Sequence, residues 1–213
     1  MRKKKKVVII DYQLGNLFSV KQACDNVGID SIISSNKSDI TNADALILPG
    51  VGAFTAAMNN LTQLDLIDPI KSSVETGKPI LGVCLGLQLL FSDSDEFGQT
   101  SGLGILSGSV KKFSREDVKV PQIGWNQIYK SSQTWQNTPL MEVNEFAFMY
   151  FVHSYYVDPQ FSEDILTKTN YSGIEYCSSV MHDNVFAMQF HPEKSAKDGI
   201  GIYKNWATIN KLM

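Results

Sequence analysis

Short apolar runs alternate along the chain with stretches in which apolar positions recur every three or four residues. Val7–Ile10 is four β-branched residues closed off by Asp11, the pattern of a strand buried on both faces of a parallel sheet. After it, Leu17, Val20, Cys24 and Val27 follow at spacings of three, four and three, which is one face of a helix, and Gly28 stands where a left-handed stop is needed. Cys24 therefore reads as core. Further apolar runs at 31–33, at 45–48 and, after a helical stretch ending near Gly77, at 79–83 repeat the alternation and predict right-handed βαβ units. Beyond about residue 100 the texture changes. The segments 102–110, 125–130, 148–152, 173–180 and 185–190 are strand-like with little helix between them, so that half is expected to be mixed or antiparallel. A last helix is predicted over 199–212, with Ile202, Trp206 and Ile209 as its apolar stripe. No repeat, low-complexity tract or linker cuts the chain. The expectation is an α/β fold: one doubly wound domain over 1–213, with a mostly parallel sheet, helices on both faces and a smaller antiparallel sheet region. Residues 1–6 form a basic N-terminal tail.

Composition narrows the function. The 213 residues are 43% hydrophobic and 19% charged, enough apolar surface for a sizeable core. Nineteen Lys plus Arg against 22 Asp plus Glu give a net charge of −3, so nothing advertises nucleic acid or an acidic membrane as a partner. The basic run 2–6 resembles the start of a signal peptide, but its apolar continuation stops at Asp11. A secretory core needs roughly 7–15 apolar residues and a membrane span about 20, so a cytoplasmic protein is expected. The three cysteines, Cys24, Cys84 and Cys177, are widely spaced with no CxxC pair, which argues against structural zinc and disulfides. No metal cluster or cofactor loop is expected.

The chemistry concentrates at 79–90. An apolar strand runs into Gly82-Val83-Cys84-Leu85-Gly86 and then into an apolar helix, the thiol counterpart of a nucleophile elbow. Gly82 and Gly86 remove side chains that would collide in so sharp a turn, and the helix start at Leu85 directs unpaired N–H groups at the sulfur, favouring thiolate. A cysteine nucleophile needs an acid/base and an orienting group. Of the three histidines, His191 lies in Gln189-Phe190-His191-Pro192-Glu193, where Pro192 keeps the backbone extended so that Glu193 can hold the imidazole. His153 and His182 lack such a neighbour. A tetrahedral oxyanion needs donors: the Leu85 N–H is one, and an amide of the Gly50-Val51-Gly52 turn is a second candidate, able to rotate in or out of the site. That turn lacks the Gly-Lys-Ser/Thr ending of a P-loop and the third glycine of a dinucleotide fingerprint.

The elbow through Gln88, with 189–193 far downstream, resembles the triad-type (class I) glutamine amidotransferases. Asp11-Tyr12, Gly15-Asn16-Leu17, Ser19-Val20, the segments 48–54 and 151–156, and Gly124-Trp125-Asn126 are similar to the glutaminase subunits of imidazole glycerol phosphate synthases. The resemblance covers residue 7 to the last helix and implies a flavodoxin-like glutaminase domain. It implies Cys84 as the acylated nucleophile, His191 as acid/base and Glu193 as its orienting carboxylate. Gln88, the backbone around Gly52, Ser154 and Tyr155 would form the glutamine pocket, and Glu96 would meet the substrate's amino group. Lys194, with Trp125, would lie at the docking face of a cyclase subunit built as a (β/α)8 barrel, forming a heterodimer into which ammonia passes. Such a subunit is expected to be nearly silent until its partner, with acceptor bound, biases the Val51 peptide.

The chain departs from the family pattern at Gln122, where members often carry His. With the Lys-rich start and Leu14, that leaves open a paralogous glutaminase whose cyclase-like partner amidates a surface-sugar precursor. Other amidotransferase glutaminases (anthranilate, GMP or pyridoxal phosphate synthesis), a stand-alone cysteine hydrolase and a noncatalytic module complete the alternatives.

Overall fold

The computed structural model describes residues 5–114 and 118–213. Its first half runs β1 (Val7–Ile10), α1 (Leu17–Val27), β2 (Ser31–Ser34), α2 (Lys37–Asn42), β3 (Ala45–Leu48), α3 (Phe54–Gln63), α4 (Ile67–Glu75), β4 (Ile80–Val83) and α5 (Leu85–Leu89). The second half adds β5 (Asp93–Ser94), β6 (Thr100–Ser101), β7 (Gly108–Lys112), β8 (Gln122–Gln127), β9 (Tyr129–Lys130), β10 (Phe148–His153), β11 (Tyr155–Pro159), β12 (Ile165–Tyr171), β13 (Ile174–His182), β14 (Val185–Met188) and α6 (Ala196–Ile209). Among the described residues, the main sheet follows the order β2-β1-β3-β4-β14-β13-β11-β7-β5-β6. Its β2-β1-β3-β4-β14 portion is parallel. From β14 outward the β13, β11 and β7 pairings are antiparallel, and β10 with β8 forms a separate two-stranded antiparallel sheet.

Strand alternation divides the core between two layers. Val7, Ile9, Ala45, Ile47, Leu81 and Val83 face α1 and α6, whereas Val8, Ile10, Leu46, Leu48 and Ile80 face α2, α3, α4 and α5. The predicted two-sided burial of β1 is complete, with all four residues at 0% exposure. Helix α1 ends as its sequence demands: Gly28 sits at φ 84° and the Ile29 N–H closes onto the Cys24 carbonyl at 2.9 Å. Cys24 is core, and burial lifts its thiol to about 12.

Several boundaries differ from the sequence reading for physical reasons. Within 102–110 only the end belongs to a strand; the N–H groups of Leu103, Ile105 and Leu106 instead bond the Leu89 and Leu90 carbonyls at 2.8–2.9 Å, so the apolar residues cap α5. The segment 125–130 splits between two sheets, β8 pairing with β10 and β9 with β12. The last helix starts earlier, at Ala196, because it grows directly from the 192–194 turn. Of the expected basic tail, residues 1–4 lie outside the described residues; Lys5 Nζ is 2.8 Å from Asp44 Oδ1 and Lys6 Nζ 3.2 Å from Asp39 Oδ1, tying the entry to β1 onto the loop before β3 and onto α2.

Candidate active site

The elbow forms where β4 ends. Cys84 has φ 55° and ψ −110°, a strained conformation worth about 1–3 kcal/mol, held by its own N–H on the Met188 carbonyl at 2.8 Å and by the Leu87 N–H on its carbonyl at 3.0 Å. Both glycines are required by close approach. A Cβ on Gly82 would lie 2.8 Å from Ala187 Cβ, and one on Gly86 only 1.7 Å from the Leu48 carbonyl oxygen. The helix that follows is five residues long, so its contribution at the sulfur reduces to the free N–H of Leu85 at its first position rather than to a large dipole.

His191 and Glu193 arrive from the other end of the chain. The Nδ1–H of His191 faces Glu193 Oε1 at 2.8 Å, with both side chains buried, which leaves Nε2 turned toward the Cys84 sulfur. Nε2 has no hydrogen-bond partner among the described residues, which leaves it available to the sulfur. Burial acts to lower the imidazole's proton affinity. The charge and hydrogen bond of the Cys84 sulfur, and then Glu193, outweigh it and raise the group to about 10. Because this exceeds the unfolded value near 6.5, the imidazolium's contribution to stability is complete below pH 6.5 and is lost as pH rises toward about 10. In Cys84→Ala the leading upward influence is gone, so an NMR titration of the His191 ring should show its midpoint fall; an unchanged midpoint would detach imidazole from sulfur.

Cys84 opens into a cavity of about 350 Å³ whose walls include Val51, Gly52, Leu85, Gln88, Glu96, Ser154 and Tyr155. Gly50 lies beneath the wall rather than in it, where a Cβ would meet the Tyr12 hydroxyl at 2.0 Å; that hydroxyl donates to the Pro49 carbonyl at 2.6 Å and props the turn. Glu96 is only partly free. Its Oε2 accepts the Phe54 N–H at 2.6 Å, capping α3, which has no cap of its own because Ala53 precedes it. Burial and then the Glu96 and Asp95 carboxylates raise the Tyr155 phenol, placing it beside that acid.

The sequence reading left several neighbours unassigned. His153 is buried at the cavity, with Nδ1 2.7 Å from the Tyr155 carbonyl and Nε2 3.3 Å from the Tyr176 hydroxyl; burial lowers it to about 4, so it stays neutral. Tyr176 donates to Gln122 Oε1 at 2.9 Å, so the departure at position 122 points inward from β8 and is 2% exposed. Gln189, quoted only as part of the histidine motif, reaches the Cys84 sulfur. By contrast His182 pairs with Asp164 at 2.8 Å and takes no part in the cavity.

Trp125 and Lys194 meet on the outer face of the β8–β10 pair. Trp125 packs edge-on to Tyr150 at 6.2 Å, and Lys194 Nζ stands 5.7 Å from the same ring. Ile123 and Phe148 are 63% and 55% exposed on this face, an apolar patch that alternation in β8 could have revealed. It is joined to the site through backbone. The His191 N–H donates to the Tyr150 carbonyl at 2.9 Å, the Tyr150 N–H to Ser195 Oγ at 2.9 Å, and the Val152 carbonyl lies 3.9 Å from the Cys84 sulfur.

A thiol, an imidazole and a carboxylate in line, with a backbone N–H beside the sulfur, can perform acyl transfer. No cluster of three or more potential metal ligands exists among the described residues, and no described helix is long and apolar enough to cross a membrane. The family model for class-I glutamine amidotransferases matches residues 8–207. Imidazole glycerol phosphate synthase subunit HisH of Aquifex aeolicus is 48% identical over 202 residues, 94% of this chain and 95% of that protein. The HisH subunit of Methanosarcina barkeri is 46% identical over 212 residues, 96% and 99% of the two chains. Among solved structures, the Thermotoga maritima PurLQS assembly matches with a TM-score of 0.74 at 18% identity, over 97% of this chain and 99% of that one, which speaks to the fold alone. With its cysteine elbow opening into the cavity and the buried His191–Glu193 pair of its His-Pro-Glu turn interacting with the elbow's sulfur, this chain belongs to the class-I glutamine amidotransferase family.

Proposed function

We propose that the chain, acting as one domain over 1–213 in the cytoplasm, is the glutaminase subunit of an imidazole glycerol phosphate synthase. The observation that carries the chemistry is the Glu193–His191 contact at 2.8 Å with the free imidazole nitrogen turned to the Cys84 sulfur. Its assignment to this synthase is supported by the HisH relatives, which align over nearly the whole of both chains.

In this reading the Cys84 thiolate attacks the glutamine side-chain carbonyl and the oxyanion is held by the Leu85 N–H and an amide of the 50–52 turn. The C–N bond breaks as His191 gives its proton to the departing ammonia. Water, deprotonated by His191, then opens the thioester to glutamate and returns the thiolate. Gln88 Nε2 already donates to the Tyr155 carbonyl and to Gln189 Oε1, each at 3.0 Å, so Gln88 offers the substrate its oxygen, an acceptor for the α-ammonium, alongside Glu96. The Trp125, Lys194 and Ile123 face takes a (β/α)8 cyclase subunit, and ammonia crosses there.

Gln122 lends no weight to the surface-sugar paralogue, because its side-chain oxygen accepts from the Tyr176 hydroxyl between the two sheets and its side chain lines neither the exposed outer face of β8 nor the cavity. The test is to mix the chain with its cyclase partner and measure glutamate release. Release should rise by on the order of a hundredfold or more when the ribulosyl phosphate acceptor is bound, the worth of one repositioned oxyanion donor. Stimulation by a sugar-precursor acceptor instead would reassign the subunit, and a free chain as fast as the complex would remove the switch.

A further inference from the structure

Gln189 is fully buried at 0% exposure, and its carboxamide stands between two groups that the glutaminase reaction needs. Its Nε2 lies 3.7 Å from the Cys84 sulfur and its Oε1 accepts from Gln88 Nε2 at 3.0 Å. The orientation of both amides follows from one backbone oxygen. The Tyr155 carbonyl can only accept, so the Gln88 atom 3.0 Å from it must be the NH2 nitrogen. That same nitrogen faces Gln189, which must answer with its oxygen or leave two buried donors opposed. The Gln189 N–H groups then have to point at the sulfur.

We propose that Gln189 is a positioning residue of the glutaminase site, whose carboxamide locks the Cys84 sulfur and the glutamine-holding Gln88 into one arrangement by donating to the first and accepting from the second. The inference rests on the glutaminase reading above. Position supports it as well as contact. Gln189 and His191 flank Phe190 in the bend that follows β14, and both interact with one sulfur, the imidazole as proton carrier and the amide as a fixed donor. The Gln189 backbone is itself held, its N–H on the Ser178 carbonyl at 2.9 Å, so the side chain has a rigid base. An N–H aimed at sulfur stabilises negative charge there without moving any proton, and loss of the donor weakens the nucleophile. Because one carboxamide serves both ends, substrate seated on Gln88 and charge on Cys84 are coupled through a single rotamer.

The test uses the full chain with its cyclase partner and the variants Q189E and Q189M. Q189E keeps an oxygen toward Gln88 but replaces the N–H at the sulfur by a second, charged oxygen; Q189M has similar length, no charge and neither hydrogen bond. In Q189E the kcat for glutamine should drop by about a hundredfold while KM stays within about threefold, whereas in Q189M both change. Alkylation of Cys84 by iodoacetamide, followed by mass spectrometry of its peptide without glutamine, should slow by about tenfold or more at pH 7 in both variants, with its pH profile displaced upward. Ammonia-dependent synthesis at the wild-type rate certifies folding and docking, and if Q189E fails that control, Q189M carries the alkylation comparison. Wild-type alkylation rates across the pH range in a folded variant would overturn the proposal. A wild-type complex that turns over no glutamine would instead overturn the functional reading, since alkylation reports on the amide–sulfur contact either way.

Discussion

Replacing Cys84 by alanine should abolish glutamine-dependent synthesis by the complex, by about 10⁴-fold or more, the scale seen when the nucleophile of a triad is removed. Ammonia-dependent synthesis should persist at the wild-type rate. The separation follows from the geometry. Cys84 is 5% exposed at the floor of its own cavity, and removing one sulfur atom leaves the elbow backbone, the β8–β10 face and the fold intact. The other two thiols cannot substitute, because burial pushes both Cys24 and Cys177 well above the ordinary thiol range. Steady-state assays with glutamine and then with ammonium salts read both halves, and residual glutamine use in the variant would move the nucleophile elsewhere.

Gly86→Ala should damage the fold itself. Its Cβ would sit 1.7 Å from the Leu48 carbonyl oxygen and 2.7 Å from the carbonyl carbon, both backbone atoms at the end of fully buried β3. Nothing there is a flexible side-chain tip, so β3 and the elbow must part, at a cost of about 3 kcal/mol or more. In a chain of this length that is a fall in Tm of roughly 6–12 °C, accompanied by loss of glutaminase activity as the Leu85 N–H moves. Gly201→Ala is the control: it lies within α6 with nothing inside 4 Å of the new Cβ, so it should be neutral or stabilising by up to about 1 kcal/mol. Equal melting temperatures for the two variants, read by circular dichroism, would show that the close approach does not govern the elbow.

The parallel half of the fold was legible because its signals are local. Four β-branched residues between charges can only be a central strand, and Gly28 can stop α1 without help from elsewhere. The grouping of Cys84, His191 and Glu193 was legible because each half is a contiguous motif, although Pro192 opens a 3-10 turn over Pro192–Lys194 where extended backbone was expected, and it is this turn that brings Glu193 onto the imidazole. What escaped the sequence was long-range. The apolar residues between 102 and 107 look like a strand until α5 is known to need caps, and β12 is disguised by Thr167 and Thr169, buried polar residues paired across to β13. Gln189 and His153 acquire meaning only when β14, α5 and β10 are brought against one sulfur. The outward face of β8 became a candidate docking surface once β10 supplied Phe148 and Tyr150 beside Ile123 and Trp125.

The proposed glutaminase chemistry requires a covalent bond between substrate and one cysteine. Acid-quenching the complex during glutamine turnover and sequencing its peptides by mass spectrometry should find a γ-glutamyl group on Cys84 alone, accumulating further when His191 is replaced and thioester hydrolysis slows. Steady glutamate release with the 79–90 peptide unmodified at every quench time, or an adduct at another residue, would contradict it.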